Sequence, residues 1–189
     1  MPRPLLLFEI HPSAKVAESV KLGFGVIIEE GCEIGKNTLI GHHVVLRPFT
    51  KIGANCKIGH FCLSEGWNSV GDWVSIRPHS TIGKGALIED KVFIGNRFAG
   101  MNDKKMSYLR NPDALPFESW MSENFELKSF VIKRGARIGV GVTVMAGVTI
   151  GENAVVGAGS LVLHDVPPRM KYCGHPAKET GFVLESEWL

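Results

Sequence analysis

The stretch IEEGCEIGKNTLIGHHVVL, residues 28–46, decides the fold, because a large aliphatic residue recurs in it at every sixth position. These recurring residues, which we call slot residues, are Ile28, Ile34, Ile40 and Leu46. The same period runs from Ile10 to Ile94, with Ser64 as its one polar member, and resumes from Ile132 to Val162. Thirteen of the 14 isoleucines occupy slots, so chance does not explain the period.

A period of six belongs to neither an α-helix nor a flat β-strand. The residue four positions after each slot is mostly small or β-branched, as at Thr38, Val44 and Cys56, and glycine follows the slot residue eleven times. A chain wound around a triangular prism explains both features, because short strands point the slots inward and tight corners need glycine or polar residues. Three hexads make one coil, and coils stack roughly 4.8 Å apart.

The composition limits the possible partners and compartments. Lys and Arg (21) nearly balance Asp and Glu (19), so the chain lacks the basic bias of a nucleic-acid binder. No run of eighteen apolar residues predicts a membrane span, and the N-terminus lacks a signal-peptide pattern. The four cysteines form no C-x-x-C pair, which predicts neither a disulfide framework nor a zinc site. We therefore expect a cytoplasmic protein without nucleic-acid or membrane partners.

The hexad pattern resembles that of the hexapeptide-repeat family, and IHPSAKVAESVKLG, residues 10–23, is typical of that family's first coil. The resemblance implies an all-β, left-handed parallel β-helix of about seven coils, forming a single domain over residues 1–189. Its expected parts are N-terminal coils (10–100), an extruded loop (101–131), C-terminal coils (132–166) and a tail (167–189). The family consists largely of homotrimeric acyltransferases with active sites between subunits, so we expect a homotrimer.

Residues 136–179 resemble the ending of acetyltransferases in this family, in which the coils lead into a KDVPP exit and a GNPA turn. The corresponding segments here are HDVPP (164–168) and GHPAK (174–178). The resemblance implies acetyl-CoA as co-substrate, its pantetheine arm bonded to backbone groups one coil apart and its phosphates facing basic side chains. The matching positions are Val140 and Ala158 for the arm, and His164 and Lys178 for the phosphates. Cationic side chains suit phosphate as point charges.

The loop that interrupts the repeat points to the acceptor. Long aperiodic loops inside compact repeats are usually functional. This one begins MNDK, residues 101–104, and contains no histidine. It therefore differs from galactoside and maltose O-acetyltransferases, which carry a catalytic histidine there, and resembles N-acetyltransferases acting on nucleotide-linked 3-amino sugars. The segment PHSTI, residues 78–82, resembles the same branch. The resemblance implies acetyl transfer to the amino group of a nucleotide-linked amino sugar.

The catalytic candidates are Asn102, Asp103 and His79. Asn102 would orient the amino group, and Asp103 would bind it or a sugar hydroxyl. A deprotonated amine attacks a thioester without a strong base, so catalysis would depend mainly on positioning. Two structural interpretations stay open, because Asn-Asp is common turn chemistry and His79 occupies an outward corner position where a solvated histidine is equally at home.

The segment SEGWNS, residues 64–69, is a second departure from the period. Ser64 replaces a slot aliphatic and Asn68 replaces a small inward residue. Inward polar groups need hydrogen-bond partners, so we expect this coil to be distorted. Trp67 and Trp73 fall on outward corners nearby, which predicts a contact between subunits, with nucleotide-base stacking as the alternative.

Three other functions remain as alternatives. The first is a hexapeptide O-acyltransferase with another acceptor. The second is a zinc protein resembling the γ-class carbonic anhydrases, because His42 and His60 are eighteen residues apart with His43 alongside. That family's His-x-x-x-x-His pair is missing, so we expect no metal. The third is a non-catalytic β-helix, against which the acetyltransferase-like ending and the long loop both argue.

Overall fold

The computed structural model describes residues 8–103 and 128–188. Within these ranges the chain coils around a prism whose three faces are parallel β-sheets, which we call sheets A, B and C. The predicted fold class, an all-β left-handed parallel β-helix, is confirmed, with about eight coils instead of the expected seven. None of the helical segments in the described ranges is long and apolar enough to cross a bilayer. Most of the extruded loop lies outside the described residues.

Nearly every hexad contributes one strand of two or three residues, and successive strands go to successive sheets. Sheet A contains β1 (Phe8–Ile10), β4 (Val26–Ile28), β7 (Val45–Leu46), β10 (Leu63–Ser64), β13 (Thr81–Ile82), β16 (Ala99–Gly100), β19 (Thr143–Val144) and β22 (Leu161–Val162). Sheet B contains β2 (Lys15–Val16), β5 (Glu33–Ile34), β8 (Lys51–Ile52), β11 (Ser69–Val70), β14 (Leu87–Ile88), β17 (Val131–Ile132) and β20 (Thr149–Ile150). Sheet C contains β3 (Lys21–Leu22), β6 (Leu39–Ile40), β9 (Lys57–Ile58), β12 (Ser75–Ile76), β15 (Phe93–Ile94), β18 (Arg137–Ile138), β21 (Val155–Val156), β23 (Met170–Gly174) and β24 (Ala177–Phe182).

The coils stack in strict register. Ile34 pairs with Ile52, eighteen residues later, and the N–H of Gly35 donates to the carbonyl oxygen of Ile52 at 2.8 Å. Across the loop, paired residues are 44 positions apart in the sequence, as Phe93 and Arg137 are. The parallel pairing nevertheless continues. The loop therefore leaves and re-enters at one corner, the one that joins sheet A to sheet B. We call the three edges of the prism the AB, BC and CA corners.

Most corners turn through a residue with a positive φ at the third corner position, so this residue recurs at every sixth position. In the N-terminal coils it is usually not glycine: examples are Asn37 (59°), Phe61 (57°) and Arg97 (58°). In the C-terminal coils glycine takes this position four times, and Asn153 (55°) is the exception. The left-handed conformation costs a non-glycine residue roughly 1–2 kcal/mol, so the N-terminal coils maintain it against a strain that the C-terminal coils largely avoid.

The core is a column of slot residues and small inward residues, and it stays closed where the loop leaves. Phe98 and Phe130 both occupy the small inward register at this point, and their rings meet edge to face with centroids 5.6 Å apart. Gly100 occupies the slot beside them because a side chain there would run into the Phe130 ring. One aromatic pair thus replaces the missing aliphatic residue.

The expectation of a distorted coil at residues 64–69 holds at the corner and fails in the strands. Gly66 adopts φ 98° directly before Trp67 (52°), a position at which the neighbouring corners have no positive φ. Leu63 and Ser64 pair with Thr81 and Ile82 in unbroken parallel register. The inward polar side chains satisfy one another: the Ser64 hydroxyl lies 2.7 Å from that of Thr50, and the Asn68 amide donates to Ser64 Oγ at 2.8 Å. Asn68 Oδ1 also accepts from the N–H of Ala86 at 2.7 Å. Because these groups supply their own partners, the strands keep their register.

The cysteines follow the inward register. Cys32, Cys56 and Cys62 are free thiols in the core, and burial raises the pKa of each. A thiol with a raised pKa is a poor nucleophile at neutral pH, so these three act as small core residues. Cys173 is free and exposed.

The tail extends sheet C instead of ending the structure at Pro167 and Pro168. β23 pairs in parallel with β21, and β24 folds back antiparallel along β23. A 3-10 turn at Glu185–Glu187 follows, and Glu187 accepts from Lys171 Nζ at 3.2 Å. The hairpin turn between β23 and β24, residues 174–177, thereby comes to lie over the last CA corner.

Candidate functional site

The CA corner changes character along the axis of the β-helix. In its N-terminal coils it carries rings: His42 stacks on His60 with centroids 4.9 Å apart, and Phe61 stacks on His79 at 5.0 Å. In its last two coils it carries only small side chains and one valine. The residues of these last two corners are Gly139, Val140, Gly141, Gly157, Ala158 and Gly159. Val140 is 52% exposed.

The last two corners form a seam with open backbone donors. The N–H of Gly159 donates to the carbonyl oxygen of Val140 at 2.8 Å, which holds the two corners together. No described residue accepts a hydrogen bond from the N–H of Val140 or Ala158. A Cβ placed on Gly141 or Gly159 would meet nothing within 4 Å, so the seam is open to the outside. A narrow chain with carbonyl acceptors, such as a pantetheine arm, fits these residues.

The turn of the tail hairpin places Lys178 beside this seam. The N–H of Gly174 donates to the Ser160 hydroxyl at 3.1 Å, which fixes the turn above the last CA corner. Lys178 pairs with Cys173 across the hairpin and is exposed. No ion pair among the described residues involves Lys178, so its charge is available to an anion at the end of the seam.

His79 lies on the same corner as the seam. It adopts φ 61° and is exposed, and its ring rests on Phe61. Two coils separate it from Val140, which corresponds to roughly 10 Å along the axis. His79, Val140, Ala158 and Lys178 are therefore brought to one edge of the molecule.

Asn102, Asp103 and His164 lie elsewhere, on the AB corner. Four residues of extended chain across sheet A separate His79 from the AB corner of its own coil, about 13 Å. Asn102 and Asp103 follow β16 at the root of the loop, and His164 follows β22 and is exposed. A single copy of the chain therefore does not unite these three residues with His79 and the seam.

Sequence reasoning missed Glu65, which holds the root of the loop. Its Oε2 accepts from the Asn102 amide at 3.1 Å and from the N–H of Lys84 at 3.4 Å. Lys84 in turn places its ammonium 4.1 Å from the centroid of the Trp67 ring. A sequence signal for Glu65 exists in the segment SEGWNS. Glu65 is a half-buried carboxylate that directly follows the inward polar residue Ser64.

The two exposed tryptophans belong to different corners. Trp67 lies on the AB corner, is 51% exposed, and meets the Phe49 ring at 5.2 Å. Trp73 lies on the BC corner and is 62% exposed. The predicted contact between subunits stays a prediction for both.

Two of the histidines considered as zinc ligands, His42 and His60, accept backbone hydrogen bonds. His42 Nδ1 accepts from the N–H of Phe24 at 2.9 Å, and His60 Nδ1 accepts from the N–H of His42 at 2.8 Å. His43 stacks on Phe61 at 5.2 Å instead of joining them. In the part of the chain that the structure describes, no group of three or more His, Cys, Asp or Glu residues could hold a metal ion.

Comparison with protein families matches two models to separate parts of the chain. Residues 7–111 match the GMPPB C-terminal domain, and residues 131–164 match the bacterial transferase hexapeptide (six repeats). The first match covers more than half of the chain and extends into the loop, and the second begins where the loop ends.

Comparison with individual proteins gives relatives that differ in acceptor. The chain is 44% identical over 55 residues (29% of each chain) to a dTDP-3-amino-3,6-dideoxy-alpha-D-galactopyranose 3-N-acetyltransferase of Aneurinibacillus thermoaerophilus. It is 40% identical over 65 residues to the galactoside O-acetyltransferase of Escherichia coli, covering 33% of this chain and 32% of that one. The chain spans less than half the length of the first curated relatives that it matches.

Among solved structures, LpxA of Acinetobacter baumannii has the same fold. The two superpose with a TM-score of 0.64 at 21% sequence identity. The aligned region covers 94% of this chain and 73% of the LpxA chain. At that identity the likeness concerns the fold alone.

Proposed function

Because this chain belongs both to the GMPPB C-terminal domain family and to the hexapeptide-repeat transferases, we propose that it is an acetyltransferase that uses acetyl-CoA. The acceptor that we propose is the amino group of a nucleotide-linked amino sugar. The observation that carries the donor half is the seam on the CA corner, where the N–H groups of Val140 and Ala158 are open and Lys178 stands at the end.

The acceptor half is supported by two features. The loop of the chain has Asn102-Asp103 near its start and contains no histidine, and in this it resembles amino-sugar N-acetyltransferases. A relative of this chain over 55 residues is named as a 3-amino-sugar N-acetyltransferase. An amine in its neutral form is a strong enough nucleophile for a thioester, so an orienting amide and a hydrogen-bonding carboxylate suffice.

The reaction that we propose forms one bond and breaks one. The lone pair of the amine attacks the thioester carbonyl carbon, the C–N bond forms, the C–S bond breaks, and CoA leaves as its thiol. The attacking nitrogen loses one proton and the sulfur gains one. We assign the acceptance of the proton from the nitrogen to His79, which lies on the same corner as the seam.

We place the complete site between two copies of the chain. Within one copy, His79 and the seam occupy the CA corner while Asn102 and Asp103 occupy the AB corner, about 13 Å away across sheet A. A site that uses both sets must therefore take the CA corner of one copy and the AB corner of the next. A closed ring of three copies, the expected homotrimer, repeats this arrangement three times.

The test is thiol release measured against a panel of UDP- and dTDP-linked amino sugars. His79→Ala and Asn102→Ala should each lower kcat by about a hundredfold or more, because each removes a group at the reacting amine. Mixing the two inactive variants during refolding should restore activity, since about a quarter of the interfaces then pair two intact residues.

Separate controls isolate the parts of the proposal. Lys36→Ala, an exposed lysine on the BC corner, should leave both CoA binding and kcat unchanged, whereas Lys178→Ala should weaken CoA binding. Unchanged turnover in both Asn102→Ala and Asp103→Ala would refute the acceptor assignment. No recovery in the mixed oligomers would refute the shared site.

A second candidate is O-acetyl transfer. The observation that favours it is an exposed imidazole, His79, on the same corner as the seam, because a hydroxyl nucleophile needs a general base. Turnover of a hydroxyl sugar that exceeds turnover of its amino counterpart would establish this candidate. Absence of any stabilisation by CoA in thermal unfolding would instead favour a non-catalytic β-helix.

A further inference from the structure

A second concave surface lies at the other end of the CA corner. The outward side chains of sheet C and the corner residues of the first four coils enclose a groove of about 540 Å³. Three cationic side chains line it, Lys21, Lys57 and Arg77, together with the rings of His42 and His60. Lys21 and Lys57 are two coils apart, roughly 10 Å.

The positive charge in this groove is not compensated within the described chain. None of the ion pairs among the described residues involves Lys21, Lys57 or Arg77. No aspartate or glutamate lines the groove. Charges of one sign in a concave site raise the local concentration of the opposite ion, so this groove attracts anions.

The two histidines add neutral donors to the same wall. Because Nδ1 of each ring accepts a backbone N–H, the proton of the neutral imidazole belongs on Nε2. Each ring therefore contributes an N–H donor in addition to the charged groups. Ammonium, guanidinium and imidazole N–H groups together match the acceptor oxygens of a phosphate.

A groove of the same size on sheet B shows that lysines alone do not produce this property. It also measures about 540 Å³ and is lined by Lys15 and Lys51, but Glu33 stands between them. Lys51 Nζ and Glu33 Oε1 are 3.3 Å apart. The sheet B groove is thus a control of similar geometry in which one of the two lysine charges is compensated.

We propose that the sheet C groove binds the phosphate or diphosphate group of a small-molecule ligand. It shares the CA corner with His79 and the seam, and it lies on the opposite side of His79 from the seam. The natural source of the diphosphate is the nucleotide-linked acceptor, which would lie toward the N-terminal coils while CoA lies toward the C-terminal ones. This identification of the source rests on the proposed function, whereas the anion site does not.

The direct test is calorimetric titration of the full chain with inorganic pyrophosphate. Lys57→Gln and Arg77→Gln should each weaken binding about tenfold, the effect of losing one charged hydrogen bond. Lys51→Gln, in the sheet B groove, should leave binding unchanged. Added salt should weaken binding to the unaltered protein, because exposed charges are screened. All three substitutions are at the surface, and thermal unfolding verifies that each variant is folded.

The outcomes test two claims independently: that the groove binds anions, and that its natural ligand is the nucleotide-linked acceptor. No binding of pyrophosphate, or equal weakening by Lys51→Gln, overturns the site. Binding that persists in saturating CoA supports the acceptor as source, and displacement by CoA overturns that identification. UDP or dTDP should bind at least tenfold more tightly than pyrophosphate, and equal affinities would overturn the nucleotide source. Pyrophosphate binding without any acetyl transfer would leave the site standing and refute only the proposed function.

Discussion

The two ends of the CA corner have the same backbone and opposite surfaces. At the N-terminal end, His42 and His60 occupy the second corner position, and each accepts the backbone N–H of the coil before it. At the C-terminal end, Val140 and Ala158 occupy the same position, and no described residue accepts from their N–H groups. The first end presents side-chain donors and the second presents backbone donors.

The comparison teaches that a repeat fixes where the backbone groups point, while one side chain per coil decides whether they are covered. A ring at the second corner position reaches back eighteen residues and closes the donor. A methyl group cannot, so the donor stays open to a ligand. The two sites that we propose therefore differ in origin: the seam lacks covering side chains, and the sheet C groove carries added ones.

The largest expected effect comes from converting the open end into the covered one. In Ala158→His, the new ring should accept the N–H of Val140, as His60 accepts that of His42. CoA affinity should fall about a hundredfold, because the N–H of Val140 is covered and the ring also blocks the open path along the seam. Calorimetric titration with CoA measures this change.

The control for that substitution is Ala54→His, at the same hexad position on the BC corner, where CoA affinity should not change. Unaltered CoA binding in Ala158→His would show that the seam is not the donor site.

A smaller effect should follow from opening the covered end. His60→Ala leaves the N–H of His42 without its partner at 2.8 Å, and the free energy of unfolding should fall by about 1 kcal/mol. His60→Asn should restore most of it, because Asp72 caps the N–H of Ala54 at the corresponding position in this way, at 2.6 Å. Urea unfolding measures both, and a full loss in His60→Asn would contradict the capping role.

The smallest expected effect is a pH dependence of stability that arises from the buried cysteines of the core. The N-terminal coils bury three thiols with raised pKa values, whereas the same inward register holds Ala136, Ala154 and Ser160 in the C-terminal coils. Because the pKa of each thiol is higher in the folded than in the unfolded state, its contribution to the free energy of unfolding is fully present below about pH 8.5. That contribution is lost as the pH rises toward the pKa of the folded state. At about pH 9, each thiol should lower the free energy of unfolding by at most about 0.8 kcal/mol.

Urea unfolding between pH 7.5 and 10 checks this. Cys62→Ala should flatten the alkaline decline in stability relative to the unaltered chain, since the variant has one fewer thiol to ionise on unfolding. An unchanged decline would contradict the assignment.

Part of the candidate site could be predicted from the sequence, and the missing parts have a common cause. Val140 and Ala158 could be named because a family motif fixes their position in the repeat, and their role in binding CoA stays a prediction. Glu65 was missed because its contact with Asn102 joins residues 37 positions apart at a corner where the period is broken. The expectation of a distorted coil was wrong for the strands because the mutual bonding of Thr50, Ser64 and Asn68 depends on side-chain rotamers, which periodicity does not encode.

The sequence by itself determined the architecture of this protein. A six-residue period in aliphatic residues admits few solutions other than a three-sided coil, since only that shape buries every slot. Only the tertiary structure decided which residues meet. The assignment of each residue to a corner depends on position within an eighteen-residue coil and on where the loop re-enters. His79 therefore joins the seam, while Asn102, predicted to act with it, stands across sheet A and can reach it only from another copy.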